Sequence, residues 1–197
     1  MRISDLLKAH ILIGGQTRSG KTHFANYLAL KTKRAIFVNP QHEQKPKKFF
    51  TTSTITAKTL LEHRYINFEI VNLDDIKKVI KYSLALGKNG IPLRVFIDEA
   101  HLFERYVEIE LIPRMGGKWN VYQITISQRL NDVASKHKAV ITQARYVVLF
   151  SLSRFELGLL RYYGLQDVRE KLPPHHFVIF DTATEEIKKF KPIKARF

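Results

Sequence analysis

Gly15, Gly20, Lys21 and Thr22 stand at the spacing G-x-x-x-x-G-K-[ST] within "ILIGGQTRSGKTHF". Glycines at those positions let successive backbone N–H groups turn into one concavity that suits phosphate oxygens. A helix opening at Lys21 adds its positive N-terminal end. In this P-loop pattern Lys21 reaches the β- and γ-phosphates and the Thr22 hydroxyl ligates magnesium. Gly15, Gln16, Thr17, Arg18, Ser19, Gly20, Lys21, Thr22 and His23 are therefore the expected nucleotide-binding residues, with ATP and Mg²⁺ as cofactors. A second constellation is Asp98-Glu99, closing the apolar run "RVFIDEAH". Acids at the end of a buried strand mark a ligand-facing sheet edge. Asp98 fits the Walker B position that shares the metal with Thr22, and Glu99 is placed to orient and deprotonate an attacking water. The extra acid favours hydrolysis over transfer to a metabolite. A third is Gln128, ending "YQITISQ", whose amide would contact the γ-phosphate or the water.

These groups need strands that end side by side. Strand-like runs cover 10–15, 35–39, 65–71, 93–101, 121–128 and 145–153, alternating with helical patterns. A helix is expected from Lys21 to about Lys33, and a short one over 57–64. Another follows an Asn72 cap, with apolar residues at 73, 76, 79, 80 and 84. The proline- and lysine-rich stretch 40–54 reads as irregular. The final segment, "HHFVIFDTATEEIKKFKPI", reads as a β-hairpin turning near Thr182 to Glu185. Alternation of this kind predicts one α/β domain over 1–197, a mainly parallel sheet with helices on both faces.

Lysine and arginine number 33 against 18 acids, a formal charge of +15. That imbalance points to a polyanionic partner, nucleic acid ahead of a membrane surface. Basic runs at Lys45 to Lys48, Lys77 to Lys81, Lys136 to Lys138 and Lys188 to Arg196 read singly as solvated faces. No run is long and apolar enough to span a membrane, and the first ten residues do not resemble a signal peptide. The absence of cysteine excludes disulfides and thiol chemistry, which fits the cytosol. His101, His175 and His176 lack metal-ligand spacing and read as structural or surface residues.

In order and spacing, "GGQTRSGKT", "FVNPQHE", "FIDEAH", "GGKWNVYQITISQR" and "ARYVVLFSLS" resemble the FtsK–HerA superfamily of DNA-pumping ATPases. The resemblance covers nearly the whole chain. It is strongest to the small packaging ATPases of tailless, membrane-containing icosahedral viruses, of the turreted archaeal and poxvirus types. It implies a RecA-like fold with an additional strand, a homo-oligomeric ring of five or six subunits and ATP-driven movement of double-stranded DNA into a preformed capsid. It also implies a capsid or membrane-associated vertex partner, a place in the host cytoplasm or on the procapsid, and Gln128 as polar sensor. Two positions depart from the pattern. Asn39 stands where relatives often carry an acid, although Glu43 is retained. Gly117 aligns with the usual arginine finger, leaving Arg114 as first candidate, then Lys118 and Arg129.

Three other readings compete. The letters "DEAH" are shared with helicases, which need two tandem RecA-like domains that 197 residues cannot hold. A small-molecule P-loop kinase fits the length but explains neither the charge nor the Glu99/Gln128 pair. A nucleotide-gated DNA-binding protein with vestigial hydrolysis remains the non-enzymatic alternative.

Overall fold

The computed structural model describes residues 2–43, 45–152, 161–163 and 172–194. Ser153, expected to end a strand, and Arg196, in the last basic run, lie outside these residues. A nine-stranded sheet runs through the described residues in the order β3-β4-β2-β5-β6-β1-β7-β8-β9. The strands are β1 (His10–Gly14), β2 (Ala35–Val38), β3 (Phe50–Thr52), β4 (Tyr65–Phe68), β5 (Leu93–Ile97), β6 (Val121–Ser127), β7 (Ala144–Leu149), β8 (Phe177–Asp181) and β9 (Glu186–Phe190). Pairings from β3 across to β7 are parallel, and β7–β8 and β8–β9 are antiparallel. The C-terminal hairpin turns over 182–185, as its sequence predicts.

Alternate residues of each central strand enter different cores, as the two-residue period of a strand requires. Ile11 and Ile13 of β1 pack with Phe24, Ala25, Leu28 and Ala29 of helix α2 (Lys21–Leu30). Leu12 joins the opposite core, with Ile76, Val79, Ile80 and Leu84 of helix α4 (Ile76–Lys88). Both faces are thus covered, which is why the central strands read as continuous apolar runs rather than as alternation. Shorter helices are α1 (Ile3–Leu6), α3 (Ala57–Glu62), α5 (Leu111–Met115), α6 (Leu130–Lys136) and α7 (Lys138–Thr142).

Several boundaries differ from expectation for identifiable reasons. Helix α2 stops at Leu30 because Lys31 and Thr32 donate to carbonyls three residues back, and the Thr32 hydroxyl caps Ala29 O at 2.7 Å. Asn72 does cap, accepting from Asp74 N–H at 3.0 Å, but it opens a 3₁₀ turn over Leu73–Asp75 before α4 begins. The stretch 40–54 is not wholly irregular. It contains β3, a largely exposed edge strand without the alternation that would reveal it. β4 ends at Phe68, and Val71, expected inside the strand, is 75% exposed.

Gly87 shows how tightly α4 lies on β6. A Cβ there would fall 2.3 Å from Val121 Cγ2, 2.9 Å from Trp119 Cβ and 3.0 Å from Trp119 O. Alanine would gain about 1 kcal/mol of helix propensity, but overpacking against a fully buried valine costs about 1–3 kcal/mol. Overpacking wins. Gly87→Ala is therefore expected to lower the melting temperature by about 2–4 °C, read by thermal circular dichroism.

Candidate active site

The pairings β5–β6 and β6–β1 are both parallel, so three strand ends meet at one edge of the sheet. β1 delivers the P-loop, β5 delivers Asp98 and Glu99, and β6 between them delivers Gln128. Gly14 pairs with Ser127 and with Leu149, so the P-loop starts level with the end of β6. At Gly14 a Cβ would lie 2.1 Å from Leu130 Cδ1. The loop's glycines are equally committed. Gly20 has φ +106°, and a Cβ at Gly15 would meet Phe150 Cβ at 2.6 Å.

Within the loop, Gln16 N–H donates to Ser151 O at 2.8 Å and Ser19 N–H to Gln16 O at 3.2 Å. Lys21 is 6% exposed, and its ammonium donates to Gln16 O at 2.9 Å. The Ser19 hydroxyl is buried with no hydrogen-bond partner among the described residues. Thr17 Oγ1 donates to Gln128 Oε1 at 2.6 Å. That bond joins two of the expected site residues directly and ties the β6 end to the P-loop. His23 is exposed on the first turn of α2.

The acidic pair is asymmetric. Asp98 is 5% exposed and accepts Glu99 N–H through Oδ1 at 3.0 Å. Glu99 sits in the left-handed region, φ 46° and ψ 49°, where non-glycine residues cost about 1–3 kcal/mol and cluster at functional sites. Its Oε2 lies 3.3 Å from His101 Nδ1, too poorly aligned for a hydrogen bond, so the oxygen stays buried without a hydrogen-bonding partner. Burial and the neighbouring Asp98 charge raise the Glu99 pKa, with Lys21 opposing. Burial pushes Asp98 up and Lys21 down, each partly offset by the opposite charges nearby.

A cavity of about 610 Å³ adjoins the P-loop, lined by residues 17–24, Glu43, Phe150, His175, Phe177, Pro192 and Ile193. Buried aromatic rings back the P-loop cradle, with Phe150 and Phe177 centroids 5.1 Å apart and Phe24 4.9 Å from Phe177. A triphosphate fits the cradle. There the Ser19 hydroxyl lacks a partner, and a Cβ at Gly20 would come within 3.4 Å of Phe150 and His175. Magnesium fits as well, because Thr22 and Asp98 offer the hard oxygen donors it takes while sharing phosphate oxygens and water. Among the described residues no group of three or more His, Cys, Asp or Glu side chains could hold a metal alone.

Sequence reasoning missed several participants. The run Lys45 to Lys48 is not simply a solvated face, since the Lys45 side chain is 1% exposed and lies 3.6 Å from Asp98 Oδ2. His101 contacts both Glu99 and Ser127 Oγ, the latter at 3.2 Å, and His175 lies 3.3 Å from Ser19 O. No spacing rule reaches these residues, because each depends on how separate loops close over the sheet edge. Asn39 has a clear role. Its amide donates to Glu43 O at 2.7 Å and to Asn67 Oδ1 at 3.1 Å, and its oxygen accepts Glu43 N–H at 3.1 Å. An aspartate could not donate those bonds. Arg114 does not approach the P-loop of its own chain. Its side chain is 61% exposed and its guanidinium is bonded to Glu110, with Nε at 3.1 Å. Lys118 is exposed, and Arg129 is exposed and 3.7 Å from Asp132.

Solved structures share this arrangement of strands and helices. The genome packaging NTPase B204 from Sulfolobus turreted icosahedral virus 2, in complex with AMPPCP, superposes with a TM-score of 0.78 at 20% identity, over 96% of this chain and 100% of that one. The chain shares the fold of a packaging NTPase. B204 from Sulfolobus turreted icosahedral virus, described as a DNA-packaging ATPase, gives 0.77 at 21% identity, over 94% of this chain and 98% of that one. VirB4 of Thermoanaerobacter pseudethanolicus gives 0.70 at 10% identity, over 94% and 89%. At these identities the likeness is one of fold, and it matches the mainly parallel α/β domain that the sequence predicts. No protein-family model matches the chain, and neither does any curated protein.

The raised Glu99 pKa has a consequence for stability. Because it lies above 4.5, the folded chain holds this proton more tightly than the unfolded chain. That contribution is full below the unfolded pKa and is lost as pH rises through the folded one. At neutral pH the ionised Glu99 therefore opposes folding. Glu99→Gln is expected to melt higher than the wild type at pH 7–8, by about 2–4 °C per kcal/mol relieved, with the gap closing toward pH 4 in thermal melts.

Proposed function

We propose that the chain is the ATPase of a viral genome-packaging motor, hydrolysing ATP to drive double-stranded DNA into a preformed capsid. The observation that carries this reading is the convergence of the P-loop, the Asp98-Glu99 pair and Gln128 on three adjacent parallel strands. The likeness to structures named as packaging NTPases supports the same reading, and the +15 charge supports a DNA partner. Residues 1–197 act as one ATPase domain. No helix among the described residues is long and apolar enough to cross a membrane. The motor works as a homo-oligomeric ring in the host cytoplasm, docking on a capsid or vertex protein.

In this reading residues 15–23 wrap the triphosphate, and Lys21 leaves Gln16 O for the β- and γ-oxygens. Thr22 and Asp98 would hold magnesium, which when bound would offset charge on the phosphates. Glu99 takes a proton from the water that attacks the γ-phosphorus, while the bond to the bridging oxygen breaks and leaves ADP. A raised pKa suits Glu99 to that task, because a stronger base accepts the proton more readily. Gln128 reports the γ-phosphate to the P-loop through Thr17.

Steady-state ATPase assays test this. Glu99→Gln should keep nucleotide binding and lose about 10²–10⁴ in turnover, whereas Lys21→Ala should lose binding too. Duplex DNA should raise the wild-type rate with no metabolite acceptor present. A rate that responds to a small acceptor and not to duplex DNA would indicate a kinase, and a negligible rate under all conditions a vestigial enzyme.

The finger is assigned to Arg114, acting on the γ-phosphate of a neighbouring subunit. Its exposure leaves the guanidinium accessible, and Glu110 holds its side chain in place. Mixing Arg114→Ala subunits with Lys21→Ala subunits should restore ATPase activity through interfaces that pair an intact P-loop with an intact arginine. If mixed rings form and no activity returns, the role passes to Lys118 and then to Arg129.

A further inference from the structure

The two oxygens of Asp98 are occupied differently. Oδ1 accepts the Glu99 N–H, and Oδ2 faces the Lys45 ammonium at 3.6 Å. That ammonium also lies 3.7 Å from Glu43 Oε2 and 3.9 Å from the Phe37 ring centroid. Both ion-pair distances exceed the 2.7–2.9 Å of a direct charge-assisted hydrogen bond. Lys45 Nζ in fact has no hydrogen-bond partner among the described residues, although it is buried. A desolvated ammonium normally secures such bonds. This one is held by opposite charge and by the face of a ring. It stands beside the carboxylate oxygen that accepts no backbone hydrogen bond.

We propose that Lys45 is a tethered counter-cation that occupies the metal's side of Asp98 and competes with a divalent cation for it. The inference rests on reading Asp98 as a metal-binding carboxylate. Before nucleotide arrives, Lys45 balances charge around Asp98 and Glu43. A divalent cation taking Oδ2 must displace the ammonium, and like-charge repulsion drives Lys45 away. The displaced lysine also releases Glu43, which lines the nucleotide cavity and is bonded through its backbone to Asn39. Metal occupancy is thereby coupled to the loop after β2, and the coupling acts equally in both directions.

The test uses the full chain without nucleotide, with Mn²⁺ as the probe and free Mn²⁺ followed by electron paramagnetic resonance. Lys45→Met keeps length and removes charge, and its thioether suits the Phe37 ring. This variant should bind Mn²⁺ at least about fivefold more tightly than the wild type, the lower end of ordinary coupling between sites. Adding Asp98→Asn should abolish the gain. Lys45→Gln provides a second uncharged variant, and Mn²⁺ should raise the melting temperature of either more than that of the wild type. Equal Mn²⁺ affinity for the wild type and both folded variants would overturn the proposal. So would a gain that survives Asp98→Asn, because it would belong to another site. Unchanged magnesium-dependent hydrolysis in Asp98→Asn alone would overturn the underlying assignment of Asp98 instead.

Discussion

The pairing of β6 between β1 and β5 is the constraint on which the site depends. Backbone hydrogen bonds fix Gly14 level with Ser127 and Ile97 level with Thr125. Each functional group is only one or a few residues beyond those pairs, so its position has little freedom. Parallel strands end at the same edge, and a side chain just past the end cannot be buried by the next pair in the ladder. The Thr17–Gln128 bond then closes the edge across the two loops. Slipping β6 by one residue would turn its alternate side chains to the opposite faces and separate these groups together.

That edge gathers charge in a place with little water. Lys21, Lys45 and Asp98 are each under a tenth exposed, and Glu99 is only partly accessible. Isolated ions would be prohibitive there, and the observed solution is a cluster of both signs. The cluster is only partly satisfied, since Lys45 Nζ and Glu99 Oε2 have no hydrogen-bond partners among the described residues. Partial satisfaction weakens a folded state but leaves groups available to an incoming phosphate, metal or water. Stability is traded for readiness at this one edge, while the hydrophobic layers on both sides of the sheet are closely packed.

Much of this was legible in the residues. The P-loop, the two acids and Gln128 are local patterns, and the apolar runs that carry them are long enough to be read as buried strands. The hairpin was legible because "TATE" separates two strand-like runs. The lysine at 45 was not, because a basic residue in a proline-rich stretch looks solvated unless its approach to Asp98 is known. β3 escaped for a similar reason, since an exposed three-residue strand is defined by its partner β4 rather than by its own composition. Phe150, Phe177 and His175 are close in space to the P-loop but distant in sequence. His101 follows the acids directly, and nothing in that spacing shows that it turns back on Glu99.

The two outer strands bear on whether copies of this chain could join edge to edge. A sheet edge presents unpaired N–H and C=O groups that can template pairing with another chain. At one edge β3 is only three residues long. At the other, β9 carries Lys188 and Lys189, followed by Lys191. A short strand offers too little ladder to extend, and a lysine-bearing strand repels an identical copy. Strand-to-strand growth into fibres is discouraged at both ends of the sheet.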